Sequence, residues 1–256
     1  MKDFEQINMN ALSVDWFISP LEYLYSDGKE LLDKLFHNES TPSESFDRES
    51  APLIYKTSMQ IDFRAKMMVL AYMRQDISKS YGLEIENGLI HLYRLDYASC
   101  ISQWMYVIEG YCRDLFSVSS LSNVKKSSWT YPTSESTEHD NLIQSLSGSL
   151  SDYLTNVFFK STNNLSIERL SRNLLLHGNV KNKNFYSQKN CLILMFILDT
   201  LVVIEMAKNR EFPQMFDERE DELQKITQRK ELYTQVQRTS TDYSNQLRLE
   251  ILKEYM

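Results

Sequence analysis

The stretch Cys191-Leu-Ile-Leu-Met-Phe-Ile-Leu-Asp-Thr-Leu-Val-Val-Ile204 decides the fold class of this chain. Asp199 and Thr200 are its only polar residues, and it is shorter than the ~20 apolar residues that span a bilayer. A helix that is apolar on nearly every side is typical of the centre of a helical bundle. We therefore predict a central helix from about Ser187 to Arg210 and no membrane-spanning segment.

The rest of the sequence favours an all-α fold, an up-and-down helical bundle with additional helices at both ends. Six glycines and five prolines in 256 residues are few turn formers, whereas β-rich folds need many turns. Apolar residues recur at helical spacing in several segments. The predicted helices cover about 20–37, 60–80, 87–116, 141–160 and 166–177, and the segments 38–52 and 117–139, rich in Ser, are predicted to be loops.

These elements suggest three parts of the chain. Residues 1–59 form an N-terminal helical extension and linker, and residues 60–208 form the helical bundle. Residues 209–256 form a charged, amphipathic helical segment at the C-terminus.

Charge and cysteine usage exclude some classes of protein. The net charge of −7 argues against a protein that coats nucleic acid non-specifically, because such binding rests on many cationic contacts to phosphates. The negative charge leaves room for a nuclease with a small basic site.

The three cysteines lack metal-type spacing and predict buried, reduced thiols in a cytoplasmic protein. Of the four histidines, His37, His91 and His139 are scattered along the sequence and form no metal-spaced cluster. We therefore expect neither a metal ion nor a cofactor.

The strongest sign of chemistry is the segment Ser171-Arg-Asn-Leu-Leu-Leu-His-Gly-Asn179. Arg172 offers a planar fork of donors to a phosphate, and His177 is able to move protons near neutral pH. This pairing suits metal-free cleavage of a phosphodiester. Asn173 and His177 are four residues apart and share a helix face, whereas Arg172 lies about 140° around the axis from His177. The alternative is that Arg172 and His177 are ordinary surface or capping residues of a short helix.

The run Arg-Asn-Leu-Leu-Leu-His resembles the Arg-x4-6-His signature of HEPN domains, and the Gly and apolar helix after it are similar to the Abi-type and Apea-like branches of that superfamily. The resemblance covers about residues 60–208. It implies a helical bundle that acts as a metal-independent endoribonuclease, in many members in phage defence or toxin systems. It also implies a homodimer in which two such motifs face one cleft.

HEPN nucleases tend to carry an acidic residue on an earlier helix, and Glu109 is the matching residue here. It shares an apolar flank with Met105, Cys112 and Phe116, where a lone carboxylate needs a partner. Arg172 or His177 would serve as that partner. A local pair between Glu109 and Arg113, four residues later, is the alternative.

The resemblance implies a role for each residue of the site. His177 would act as general base or acid towards RNA, Arg172 would clamp the scissile phosphate, Asn173 would position His177 or the phosphate, and Glu109 would orient Arg172. A partner that blocks the cleft, such as an antitoxin or another defence protein, would fit the same reading. The rival is a non-catalytic HEPN-like scaffold or a nucleotide- or protein-binding module.

Overall fold

The computed structural model describes residues 2–21, 43–118, 138–159, 170, 185–211 and 219–254. All regular elements in these ranges are helical, and this confirms the all-α prediction. The elements are α1 (Lys2–Ser13), α2 (Ser43–Ser58), α3 (Ile61–Met67), a first π-helix (Met68–Tyr72), α4 (Asp76–Ser80), α5 (Gly82–Tyr93), α6 (Tyr97–Phe116), α7 (Glu138–Tyr153), a second π-helix (Leu154–Phe158), α8 (Gln188–Lys208) and α9 (Glu220–Glu254).

Helix α8 is the centre of the fold, as its apolar sequence predicts. It begins after Ser187, whose hydroxyl accepts a hydrogen bond from the backbone of Asn190 at 3.3 Å. Every side chain from Asn190 to Ala207 is buried, and the helix packs against α2, α6, α7 and the first π-helix. Its length and composition would also suit a membrane span, but the whole apolar window is buried inside the protein, as in the core helix of a globular domain.

Helices α6 and α8 lie side by side and run parallel. At one end the thiol of Cys191 lies 3.8 Å from the carbonyl oxygen of Tyr97. At the other end the Tyr111 hydroxyl donates to a Glu205 carboxylate oxygen at 2.5 Å. Cys100, Cys112 and Cys191 are free and buried, which confirms the prediction of buried reduced thiols.

Several helices end without the glycine that usually marks a helix C-terminus. Asp15, Leu95, Ser117 and Arg210 all have φ between 54° and 60°, the left-handed conformation. After Leu95 the amide of Asp96 donates to the carbonyl of His91 at 2.9 Å, the long hydrogen bond of a Schellman motif. The prediction of one helix over 87–116 is therefore wrong, because the chain turns at Leu95 and α6 begins after the N-cap Asp96.

The segment 60–80 is also interrupted. Helix α3 passes into the first π-helix, a turn follows, and the short helix α4 comes next. A single predicted helix over this range is therefore only partly right. The turn forms because Glu205 of α8 accepts hydrogen bonds from the backbone amides of Ile77 (2.8 Å) and Ser78 (3.1 Å), which would otherwise lack partners at the start of α4.

The predicted loop over 38–52 is wrong from residue 43 onward, where α2 begins. The helix contains Pro52, yet Ala51 and Ile54 are buried and α2 packs on α8. Burial of this apolar face outweighs the local preference of Ser and Pro for turns. Helix α1 has no counterpart among the predicted helices. The predictions for 22–37, 119–137 and 166–177 lie outside the described residues, except that Leu170 is described as buried.

The charged helix α9 packs against α3, α5 and the first π-helix. Arg74 donates to both carboxylate oxygens of Glu222, at 2.8 and 2.6 Å. Farther along α9, the Tyr233 hydroxyl donates a hydrogen bond to Glu86 at 2.8 Å, and Arg229 forms a salt bridge with the same carboxylate. These contacts join the C-terminal segment to the bundle. The division of the chain into three parts, with boundaries after residues 59 and 208, stays a prediction.

Candidate functional site

Arg172, Asn173 and His177 lie in the segment 171–184, outside the described residues. The residues that border this segment, Leu170 and Phe185, are both buried, at 2% and 0% exposure. The carbonyl oxygen of Phe185 accepts a hydrogen bond from the Asn190 side chain at 2.8 Å. The chain therefore leaves the motif segment through a fixed point at the N-terminal end of α8.

Glu109, the fourth residue of the predicted site, lies on α6 and is partly buried. Met105 and Cys112 beside it are buried, and Phe116 is partly buried against the core, as the sequence predicts for an apolar flank. Burial raises the pKa of the Cys112 thiol, and the negative charge of Glu109 raises it further. The partner of Glu109, whether Arg172 or His177 of the motif or the local Arg113, stays a prediction.

The backbone next to Glu109 is held by a tyrosine packed on a glycine. A Cβ atom on Gly110 would lie 2.6 Å from the Tyr81 hydroxyl, so only glycine allows this approach. The same hydroxyl donates to Asp114 at 2.7 Å. Tyr81 thereby fixes the turn of α6 that carries Glu109, whereas the Tyr106 side chain one turn earlier is 72% exposed.

The structure also contains a buried polar cluster that the sequence reasoning missed. Arg64 of α3 donates to Asp199 of α8 at 2.7 Å, and Tyr72 donates to the other Asp199 oxygen at 2.6 Å. Arg64 also donates to the carbonyl of Ser58 at 2.5 Å. Burial, then the negative charge of Asp199, raise the pKa of Tyr72, so its hydroxyl stays protonated and donates to Asp199. Asp199 itself was a usable signal, since a carboxylate in an apolar helix requires a partner.

Glu205 continues this cluster at the far end of α8. Besides the two α4 amides, it accepts the Tyr111 hydroxyl, and burial followed by the Glu205 charge raises the pKa of Tyr111. The Ser78 hydroxyl donates to the carbonyl of Tyr72 at 2.8 Å and links Glu205 to Asp199. All these groups are satisfied by one another, so we interpret the cluster as structural.

Metal binding finds no support in the part of the chain that the structure describes. No group of three or more His, Cys, Asp or Glu side chains there converges on a point that could hold an ion. The half-exposed pair of His91 and the N-cap residue Asp96, 3.1 Å apart, belongs to the α5–α6 turn.

Compared with protein-family models, curated proteins and solved structures, the chain has no significant match in any of the three comparisons. The resemblance to HEPN domains therefore stays a prediction from the residues of the Arg172–His177 segment.

Proposed function

We propose that this chain is a metal-independent endoribonuclease of HEPN type, acting in phage defence or a toxin system. The observation that carries the proposal is the spacing of Arg172, Asn173 and His177, with a core helix that begins eleven residues after His177. The all-α fold, with α8 buried from Asn190 to Ala207 after the motif segment, supports it.

Chain length allows the motif to meet Glu109. Phe185 lies at the end of α8 that is level with Tyr97, and Glu109 follows Tyr97 by 12 residues on the parallel helix α6. Twelve helical residues rise about 18 Å. The eight residues from His177 to Phe185 extend to at most about 28 Å. The chain between His177 and Phe185 is thus long enough to let the motif reach the level of Glu109 along α6.

The proposed reaction is cleavage of RNA at a phosphodiester by attack of the 2′-hydroxyl. Neutral His177 accepts the hydroxyl proton, or its protonated form donates one to the leaving oxygen, a contribution of about 10²–10⁴ in rate. The Arg172 guanidinium binds the phosphate and stabilises the charge that develops on it. Asn173 positions His177 or the phosphate, and Glu109 orients Arg172 as a positioning residue.

The first experiment is an RNA cleavage assay with EDTA present, comparing the wild type with His177→Ala and with the control His91→Ala. We expect cleavage by the wild type and the control, and a loss of at least 100-fold for His177→Ala. Equal cleavage by His177→Ala and the wild type would contradict the proposal, as would cleavage that EDTA abolishes.

A second assay separates catalysis from folding. Glu109→Gln keeps the size of the side chain and should lower kcat with little change in KM or in thermal stability. The matched control is Glu231→Gln, an exposed carboxylate on α9. If Glu109→Gln changes only the melting temperature, Glu109 is structural and has no place in the site.

The proposed homodimer predicts active sites that two chains complete together. Mixing inactive Arg172→Ala protein with inactive His177→Ala protein, after partial unfolding and refolding, should restore activity if each cleft uses residues from both copies. Light scattering measures the oligomeric state directly. The absence of cleavage under every condition would instead favour the non-catalytic binding module.

A further inference from the structure

Two of the three cysteines meet between the helices α6 and α8. The Cys191 thiol lies 3.8 Å from the carbonyl oxygen of Tyr97, about one turn of α6 before Cys100, and a hydrogen bond links the Cys191 and Cys100 side chains. Both side chains are buried, at 0% exposure. Two thiols in contact are placed to form a disulfide, whose sulfur atoms lie about 2 Å apart.

The parallel packing of α6 and α8 brings these cysteines to the same level. Cys100 follows the N-cap residue Asp96 by four residues, and Cys191 follows the N-cap residue Ser187 by four residues. Both cysteines therefore lie at the end of the first turn of their helix. Because the helices run side by side from the same level, closure of a disulfide requires rotation of the two side chains and little movement of the helices.

Tyr55 and Tyr97 border the pair of thiols and reach the surface. Both rings are partly buried against the core, and both hydroxyls interact electrostatically with Cys100 and Cys191. The pair thus lies beneath a single layer of side chains at two helix ends, where local opening costs least. Burial, then the hydrogen bond to Cys191, raise the pKa of the Cys100 thiol, so the thiols stay protonated until such an opening admits solvent.

We propose that Cys100 and Cys191 form a reversible disulfide when the protein meets a peroxide, and that this disulfide locks α6 to α8. The thiolate sulfur of one cysteine attacks an oxygen of hydrogen peroxide, which breaks the O–O bond and releases hydroxide. The thiolate of the other cysteine attacks the resulting sulfenic acid sulfur, forms the S–S bond and releases a second hydroxide.

The oxidation balances with no further reactant. The protons of the two thiols convert the two hydroxide ions to water, and the peroxide accepts the two electrons that the sulfur atoms lose. A dithiol such as dithiothreitol returns two electrons and two protons and restores both cysteines. In a reducing compartment the pair therefore rests as thiols and becomes a disulfide only while the oxidant persists.

Cys112 provides a matched control in the same chain. It is also 0% exposed, and it lies on the same helix as Cys100. The twelve helical residues between them rise about 18 Å, so Cys112 is out of reach of both thiols of the pair. If burial alone set the reactivity, all three cysteines would behave alike, whereas contact predicts a disulfide for one pair only.

The first experiment identifies the disulfide directly. Folded protein is treated with hydrogen peroxide, unfolded in N-ethylmaleimide, digested without reductant and analysed by mass spectrometry. We expect the Cys100 peptide joined to the Cys191 peptide, Cys112 alkylated, and complete reversal by dithiothreitol. Cys112→Ala should keep the cross-link, and Cys100→Ala should abolish it. Three alkylated thiols after peroxide treatment, or equal pairing of Cys112, would overturn the proposal.

The melting temperature tests the lock. The oxidised wild type should melt several degrees above the reduced protein, because the disulfide closes a long loop in the unfolded chain. Cys191→Ala should melt at the same temperature before and after treatment with peroxide. Cross-linked protein that melts no higher than the reduced protein would contradict a lock between α6 and α8.

Tyr97→Ala tests the route of the oxidant. Loss of this ring uncovers the pair and should speed disulfide formation severalfold, whereas Tyr106→Ala, at a 72% exposed residue of the same helix, should leave the rate unchanged. N-ethylmaleimide added to the folded variants should not label Cys112, which excludes general unfolding as the cause. An unchanged rate in folded Tyr97→Ala would contradict this route. None of these measurements uses RNA, so they test the disulfide separately from the proposed nuclease.

Discussion

Asp199 accepts a hydrogen bond from Arg64 at 2.7 Å, across 135 residues of chain, and the two side chains are 0% and 2% exposed. This ion pair ties α3 to the central helix α8, and Tyr72 binds the second carboxylate oxygen. The pair thus fixes how the segment around the first π-helix lies on the core.

Removal of one partner of this pair should strongly destabilise the protein. Asp199→Ala leaves the Arg64 charge buried without its counter-ion, which costs about 3–5 kcal/mol of unfolding free energy. Replacement of the whole cluster by apolar residues, Arg64→Met with Tyr72→Phe and Asp199→Leu, should restore most of the stability. Urea denaturation measures both effects, and a loss below about 1 kcal/mol for Asp199→Ala would show that Arg64 finds another partner.

The Arg74–Glu222 pair should make stability depend on pH in acid. Hydrogen bonds from Arg74 lower the pKa of Glu222 from its usual 4.5 to about 2, against the opposing effect of burial. The folded state therefore gains stability from ionised Glu222 above about pH 4.5, and this contribution is lost as the pH falls towards 2.

Urea denaturation of the wild type and Glu222→Gln at several pH values checks this dependence. We expect a difference of about 1.5–3 kcal/mol at pH 7, typical of a hydrogen bond to a charged group, which narrows between pH 5 and pH 2. Glu231→Gln, on an exposed part of the same helix, is the control. A gap between wild type and Glu222→Gln that stays constant over this range would contradict the prediction.

Two glycine-to-alanine substitutions should have opposite effects. A Cβ atom on Gly88 would lie 2.1 Å from Trp104 Nε1, and this nitrogen is held by a 3.1 Å hydrogen bond to the carbonyl of Ile85. Gly88→Ala should therefore cost about 1–3 kcal/mol or more. A Cβ atom on Gly148 meets no described residue within 4 Å, so Gly148→Ala should gain about 0.5–1 kcal/mol from helix propensity. Thermal denaturation of the two variants side by side gives the comparison, and effects of the same sign would be inconsistent with the packing described.

Arg210 should be more favourable as glycine. It ends α8 with φ of 60°, is exposed, and adopts a conformation that costs an L-residue roughly 1 kcal/mol. Arg210→Gly should raise the unfolding free energy by about 0.5–1 kcal/mol, because glycine adopts this conformation without strain. Gln228→Gly, on the exposed face of α9, should lower the unfolding free energy by about 1 kcal/mol. If Arg210→Gly instead lowered the unfolding free energy, the arginine side chain would stabilise the protein by more than its left-handed backbone conformation costs.

The elements that the sequence predicts best are those whose signal is local. The buried helix α8 follows from its composition, and its predicted start at about Ser187 agrees with the N-cap that the structure shows there. Glu109 also lies on the apolar flank where helical spacing places it. Periodicity and capping need only neighbouring residues, so they are visible without knowledge of the fold.

The helix ends were harder to predict, because the usual signals are absent. Leu95 and Arg210 take the position that glycine usually occupies, and Pro52 lies inside α2. Packing of the adjoining helices supplies the free energy that overcomes these unfavourable local choices. Rules based on turn formers therefore missed the end of α5 after Tyr93. They also predicted a loop over the residues where α2 begins.

The sequence by itself determined the helical class, the central helix and the residue types of the proposed nuclease motif, because these depend on composition and on spacing along the chain. Only the tertiary structure decided that Arg64 neutralises Asp199, that Glu205 holds the start of α4, and that α9 docks through Glu222. A carboxylate in an apolar helix indicates from the sequence alone that it needs a hydrogen-bond donor. Which donor reaches it depends on the packing of segments that lie more than 100 residues apart in the sequence.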